Sequence, residues 1–550
     1  MDFTTSLIKD SRLMVSDKIN YGVVKGGETI THQKQSAVSN SNTSLVYNVQ
    51  VPSLQTVIDR RVIFGAEFVL KITGTPDAGV RLVELGSKDG LASFPLQRMM
   101  STMTTTINSS SISTNIPDVM PALLKLHDGR SLAKYNSMCP TLPDNYFSYT
   151  DAAQGANNNP LATYNNATYD NSFQPNGGWY PVSWGSNEAA TDLAAPPVGE
   201  TGVVKTWYVK YRSNEPLLFL SPFTYSTESN TQGMYGVQNM NFQFQFGNIQ
   251  RVWRSTSAHA KTISLVSVND SYLDFVFING HPSDLLPSKN VVPYIEYPRY
   301  ITAVSKNIAS GAEDTVQSQS LSLNVVPDKL VLFVRNRADT ATTVPDRFLP
   351  ITNLSINFNN SSGILSTAPQ TDLFGMSAEN GLCVSYPEFR GWAAGPPLDT
   401  GLVDKIRLCG SPVVLTLGKD IQLVQDYIAA GAIGNFNLQV VAKVYNQSDA
   451  QVSDLEFVII TINSGILVIE QGVSSCYVGI LTREDVLKAS EDPEAVGWSS
   501  HVRMTGAGLL DQIKTIAKKG ALKLVEGSKL GDVAKMALGK GGKKIANRLM

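Results

Sequence analysis

A chain of 550 residues exceeds one ordinary domain, at roughly 150 residues per domain. Only 17% of its residues are charged, against roughly 25% in soluble proteins, and Ser, Thr, Asn and Gly stand in their place. Met1–Asp10 carries Asp2 and no apolar run, which argues against a secretory signal, and no stretch of 18 apolar residues exists to span a membrane.

A polar but weakly charged surface suits a protein that buries itself against its own copies, because a neutral amide loses less on desolvation than a charge does. The net charge of −2 hides an asymmetry. From Arg503 onward, 11 Lys and Arg face 3 Asp and Glu, so a tail of +8 follows a body of −10. Basic ends on acidic bodies commonly engage nucleic acid or an acidic surface.

Taken from the N-terminus, the apolar residues alternate as they do in strands with one buried face. Leu45, Tyr47, Val49 and Val51 form one row; Val62, Phe64, Ala66, Phe68, Leu70 and Ile72 form the next. Met240, Phe242, Phe244 and Phe246 continue the pattern, as do Leu354, Ile356 and Phe358, then Phe436, Leu438, Val440, Ala442 and Val444. Little before residue 505 reads as a long amphipathic helix. Many short strands set off by Gly, Pro and Asn mean sandwiches or barrels.

A faint duplication organises these strands. Thr104–Ser111 resembles Asn353–Asn360, aligning Ile107 with Ile356, and Asn239–Phe244 resembles Ile433–Leu438, aligning Phe242 with Phe436. The two offsets, 249 and 194, differ by 55 residues, which places an insertion in the first half. Residues 135–204 supply it: they hold no Lys or Arg, and Asn, Gly, Pro and Ala cluster around Tyr146, Tyr149, Trp179 and Trp184. A loop that long in a compact domain is functional or disordered, and its aromatics favour an ordered projection.

The expected fold is therefore all-β, with two tandem eight-stranded jelly rolls. The boundaries read as an N-terminal arm over 1–35, jelly roll 1 over 36–282 with its insertion at about 135–204, and jelly roll 2 over 283–480. A linker and a basic amphipathic helical tail fill 481–550.

At this point the sequence resembles the major capsid proteins of Polinton-like viruses, adintoviruses and virophages. In the second half the likeness lies in Val326–Val334, Phe348–Asn360, Leu417–Ile421 and Gly434–Gln439; in the first, in Tyr21–Gly27 and Ile116–Leu124. The resemblance implies a double jelly roll in the shell of an icosahedral DNA virus, with three chains making a pseudo-hexagonal capsomer. It also implies contacts with further copies, with penton and minor capsid proteins, and a chain made in the host cytosol and carried in the virion. The insertion would be an outward tower or an inter-subunit clasp. Its six acids, Asp144, Asp151, Asp170, Glu188, Asp192 and Glu200, argue against a nucleic-acid face.

The tail carries Leu509, Leu510, Ile513, Ile516 and Ala517 at helical spacing, then Leu522, Val525, Leu530, Val533, Ala534 and Ala537. Lys514, Lys518, Lys519, Lys523, Lys540, Lys543, Lys544 and Arg548 make it basic. Three readings stay open: docking under neighbouring subunits, neutralising genomic DNA, or lying on an internal membrane. Just ahead, Met504, Gly506, Ala507 and Gly508 fit the pattern cut by adenovirus-type cysteine proteases, a maturation partner that would release the tail after Ala507. A Gly-rich helix boundary explains the same residues.

Catalytic, cofactor and metal signals are missing from the sequence. His32, His127, His259, His281 and His501 form no HExxH, no GxSxG elbow or GxxxxGK[ST] loop occurs, and Cys139, Cys383, Cys409 and Cys476 lack CxxC spacing. Four scattered cysteines read as free thiols. No enzyme, cofactor or metal is expected. A secreted or surface carbohydrate-binding β-sandwich is the alternative, though it calls for a signal peptide; a cupin-type enzyme would need clustered His and Glu.

Overall fold

The computed structural model describes residues 5–8, 21–24 and 29–482, except 86–87, 134, 136–138, 142, 149–180, 224–232, 258, 280–285, 338–340, 398–402, 426–427 and 480. Two short strands, Thr5–Ile8 and Tyr21–Val24, form an antiparallel hairpin at the N-terminus.

The first half supplies eight principal strands: β1 (Thr29–Ser36), β2 (Ser44–Gln50), β3 (Ile63–Gly74), β4 (Met100–Ile107), β5 (Ser110–Asn115), β6 (Lys205–Pro216), β7 (Asn239–Phe246) and β8 (Lys261–Asn279). They pair as two antiparallel sheets, β1-β8-β3-β6 and β2-β7-β4-β5. Thr29–Gln35, read from the sequence as the end of an arm, is therefore a sheet strand along Leu273–Asn279.

The second half repeats the plan with β9 (Lys289–Glu296), β10 (Arg299–Val304), β11 (Glu313–Gln317), β12 (Leu321–Val325), β13 (Lys329–Asn336), β14 (Ile351–Phe358), β15 (Ser361–Ile364), β16 (Val413–Thr416), β17 (Ile433–Tyr445), β18 (Leu455–Glu470) and β19 (Val473–Val478). β9 and β10 share the first place, split at Tyr297-Pro298 because proline cannot donate to a ladder. β11 and β12 likewise share the second. The sheets are then β9/β10-β18-β13-β16, with β19 on β18, and β11/β12-β17-β14-β15. Each half is a jelly roll, two four-position sheets closed face to face.

The alternating rows point inward. Leu45, Tyr47, Val49, the whole run Val62 to Ile72, Phe242 and Phe244 are fully buried, and so are Leu354, Ile356 and Val440. At roughly 1.5–3 kcal/mol per large apolar side chain removed from water, these rows supply the main drive to fold. One apolar cluster runs continuously from Leu45 to Ile469 through both halves.

The structure corrects the register of the duplication. Asn108 (φ 48°) and Asn359 (φ 50°) both turn the corner after the fourth strand in the left-handed region, and their N–H groups bond the carbonyls of Asn239 and Asn437. Matching these corners gives offsets of 251 (359 less 108) and 198 (437 less 239), differing by 53. Ile107 thus corresponds to Phe358, not Ile356. An even slip keeps every side chain on its face, so alternation alone could not fix it.

Two helices that the sequence reading left out follow the fifth strand of each half: α2 (Ile116–Leu124) and α3 (Gln370–Glu379), with short α1 (Pro95–Arg98) and α4 (Tyr386–Phe389) nearby. α2 carried a legible signal, with Asn115 at its N-cap, Pro117 in the first turn and Asp118 beside it.

Candidate functional site: the ionic seam between the two jelly rolls

Helix α2 brings the first jelly roll's charges to the second. The buried Asp118 carboxylate accepts from Arg335 of β13 and from Arg299 of β10. Arg335 also reaches Glu456 at 3.0 Å and the Pro117 carbonyl at 3.4 Å. Burial pulls the Arg335 guanidinium down, but Asp118 and Glu456 outweigh it and hold the group above its usual range. At the far end of α2, Lys125 donates to Glu388 of α4 and to the Asp144 carbonyl. Burial opposes that charge too, and the Glu388 carboxylate overcomes it, raising the Lys125 pKa.

Asp346, on the connection between β13 and β14, is the second centre. Its carboxylate takes Arg98 at the end of α1 and Arg251, with Arg254 3.6 Å away. Burial pushes its pKa up, yet the three guanidiniums, Arg98 first, hold it well below the ordinary carboxylate range. Its own N–H donates to Asp144 Oδ2 at 3.2 Å, and Arg254 reaches the same oxygen at 3.3 Å.

This geometry revises the start of the insertion. Residues 140–148 do not leave the body but run between the jelly rolls. The Pro140 carbonyl accepts from Phe94 N–H at 2.9 Å, the Asn145 carbonyl from Cys409 N–H at 2.8 Å, and Phe147 N–H donates to the Arg407 carbonyl at 3.2 Å. Gly410 (φ +73°) permits the approach, since a Cβ there would sit 2.4 Å from the Phe348 carbonyl. Asp144 is a seam residue because its carboxylate meets Arg254 of one half and the Asp346 amide of the other. The far end of the insertion lies on the outer face of the first jelly roll: Ser183–Gly185 pairs with β6, and Ala190 packs on Val69 and Tyr208. Residues 149–180 lie outside the described residues.

A third contact joins the β4–β5 corner to β19. Ser109 and Ser110 hydroxyls donate to the Ser474 carbonyl at 2.9 and 2.8 Å, and the Ser474 hydroxyl donates to the Ile107 carbonyl.

The other residues singled out from the sequence do not converge. His127 is buried against Phe219, and burial lowers its pKa; His259 meets the Leu82 carbonyl at 3.2 Å. Among the described residues no three His, Cys, Asp or Glu side chains gather as metal ligands, and no helix is long and apolar enough to cross a membrane. All four cysteines are free. Met504, Gly506, Ala507 and Gly508 lie outside the described residues, as do Lys514, Lys518, Lys519, Lys523, Lys540, Lys543, Lys544 and Arg548. The seam itself escaped the sequence reading, for Arg98 and Asp346 are 248 residues apart.

Residues 1–281 match the family described as Sputnik virophage major capsid protein first domain, and residues 297–465 match the major capsid protein V20 C-terminal domain. The chain belongs to this virophage major capsid protein family. As a member of it, the chain is a structural protein of the virion capsid and not an enzyme. It is 29% identical over 532 residues to the putative capsid protein V20 of Sputnik virophage, covering 93% of this chain and 86% of that one. The cryo-EM structure of the Sputnik virophage superimposes with a TM-score of 0.76 at 28% identity, covering 88% of this chain and 94% of that one. The mavirus major capsid protein, at 15% identity and a TM-score of 0.66, shares the fold over 83% of this chain and 92% of its own.

Proposed function

We propose that three copies of this chain form a pseudo-hexagonal capsomer and that such capsomers, with penton and minor capsid proteins, tile an icosahedral DNA-virus shell. One observation carries the reading: a single chain presents the same eight-place jelly roll twice, with the two halves tied by buried charges. Around a three-fold axis such a chain offers six similar lobes, so one gene product suits a hexagonal lattice. A seam of buried ion pairs adds little net stability, but it is satisfied in one arrangement only, which suits a lobe-to-lobe angle that must not vary. Negative-stain microscopy and light scattering of the purified full chain test this reading. Trimers of hexagonal outline are expected; a stable monomer at assembly concentration rejects it.

The tail reading extends the proposal: a protease of the adenovirus type cuts after Ala507, releasing the basic segment from Gly508 onward. Its support is the cleavage-like pattern at the point where composition changes. Intact mass of the protein from purified virions decides it, because full-length chain in mature particles refutes cleavage.

A further inference from the structure

Beside the Asp346 centre lies a cleft of about 220 Å³ between the jelly rolls. At about 30 Å³ per water it holds the equivalent of roughly seven waters. Arg98 and Arg251 reach it from the first half; Arg335, Arg337 and Arg347 reach it from the second. Only two carboxylates line it, Asp346 and Glu456. Both are already engaged, Asp346 by Arg98 and Arg251 and Glu456 by Arg335. Asp118 stands behind the wall but is shared by Arg335 and Arg299. At the rim, Asp454 is 4.0 Å from Arg337 with both side chains more than half exposed, and Arg347 is stacked 4.2 Å from the Phe147 ring centre. Ile116, Met120 and Phe348 give the cleft apolar walls.

Five guanidiniums against two carboxylates leave three positive charges in excess along one cleft. Apolar walls focus that field, and planar guanidinium forks match the oxygens of a tetrahedral oxyanion two at a time. The Asp346 environment bears the same mark: burial lowers the Arg251 pKa first, and the neighbouring charges of Arg254 and Arg98 lower it further against the pull of Asp346. We propose that this cleft binds a small polyvalent phosphate, bridging the arginines of both jelly rolls. The bound anion acts as a removable staple across the seam. The cleft is too small for a nucleic-acid strand, and a phosphodiester offers only one charge per unit where the cleft presents several cations at once. This inference does not depend on the capsomer reading.

The test is thermal unfolding of the purified full chain with increasing pyrophosphate, against chloride at matched ionic strength. Pyrophosphate should raise the midpoint progressively with concentration, as a ligand of the folded state does. Arg337→Glu, at a side chain 64% exposed, leaves the fold intact and should weaken the apparent affinity about tenfold or more. Arg347→Ala combined with it should abolish the shift. No rise beyond the chloride control overturns the proposal, and so does an equal rise in the double variant. A single-stranded oligonucleotide that stabilises as well as pyrophosphate, at equal phosphate concentration, overturns the choice of a small ligand.

Discussion

Asn108 and Asn359 occupy the same corner of the two jelly rolls, each in the left-handed region and each bonded to the strand that pairs with its own. Asn108 Oδ1 accepts from the N–H groups of Gln238 (2.8 Å) and Asn239 (3.3 Å), whereas Asn359 Oδ1 accepts from Asn437 N–H alone (3.0 Å). Asn108→Ala combines a left-handed Cβ with two lost acceptor contacts and should cost about 2–3 kcal/mol. Asn359→Ala should cost about 1–2 kcal/mol, and glycine at either corner less than alanine. Urea denaturation of the four variants checks the order.

Asp346→Asn leaves Arg98, Arg251 and Arg254 facing one another without a carboxylate. It should lose about 3–5 kcal/mol at pH 7. The carboxyl is held below the roughly 3.9 of an unfolded Asp, so its contribution is full above that pH and fades as pH falls through the lower folded value. The gap between wild type and variant should therefore narrow below about pH 4. Denaturant midpoints at pH 7 and pH 3 measure it; an equal gap at both would reject the ionic account.

Glu215 is buried under α1, accepting from Leu96 N–H (2.6 Å), Gln97 N–H (3.0 Å), the Gln97 amide (3.2 Å) and the Ser213 hydroxyl (3.0 Å). Burial lifts its pKa to about 7 against those four donors. Because the folded value lies above the unfolded one of about 4.3, the native state binds the extra proton between them, and stability falls as pH rises through that window. Glu215→Gln lowers stability throughout by misdirecting donors, yet it should flatten the slope between pH 5 and 7 by about 1–3 kcal/mol. Thermal midpoints across that range separate slope from level.

The thiols should react in order of exposure. Cys383 is exposed, Cys476 half-buried, and Cys139 and Cys409 buried with pKa values raised by burial well above the usual thiol range. Alkylation of unassembled chain followed by peptide mass spectrometry should label Cys383 first, then Cys476. Cys139 and Cys409 should appear only in denaturant. Early labelling of Cys409, whose thiol donates to the Tyr146 carbonyl at 2.6 Å, would mean that the 140–148 crossing opens readily.

Much of the fold was legible because a half-buried strand writes its period directly into the sequence. Val62 to Ile72 shows this best, with every second residue apolar and all of them buried. Register was less legible, since a slip of two or four residues preserves that period and only the left-handed asparagine corners break the tie. The insertion was visible from its lack of basic residues, but its path was not. Nothing local to Asp144 announces that its partners are Arg254 and the Asp346 amide, 110 and 202 residues later. Charges satisfied at such separations look like ordinary surface charges until the chain is folded. The family resemblance supplied the arrangement in a shell, which no spacing encodes.

The seam also bears on how the chain is made. The last strand of the first jelly roll ends at Asn279, while Arg335, Asp346 and Glu388 come later in translation. At ribosomal speeds the first half waits on the order of tens of seconds for them. Throughout that pause Arg98, Asp118, Lys125, Asp144, Arg251 and Arg254 remain hydrated charges on an unfinished face. They keep the nascent half soluble and discourage it from pairing with the wrong neighbour. The same charges that fix the finished lobes thus guard the half-made one.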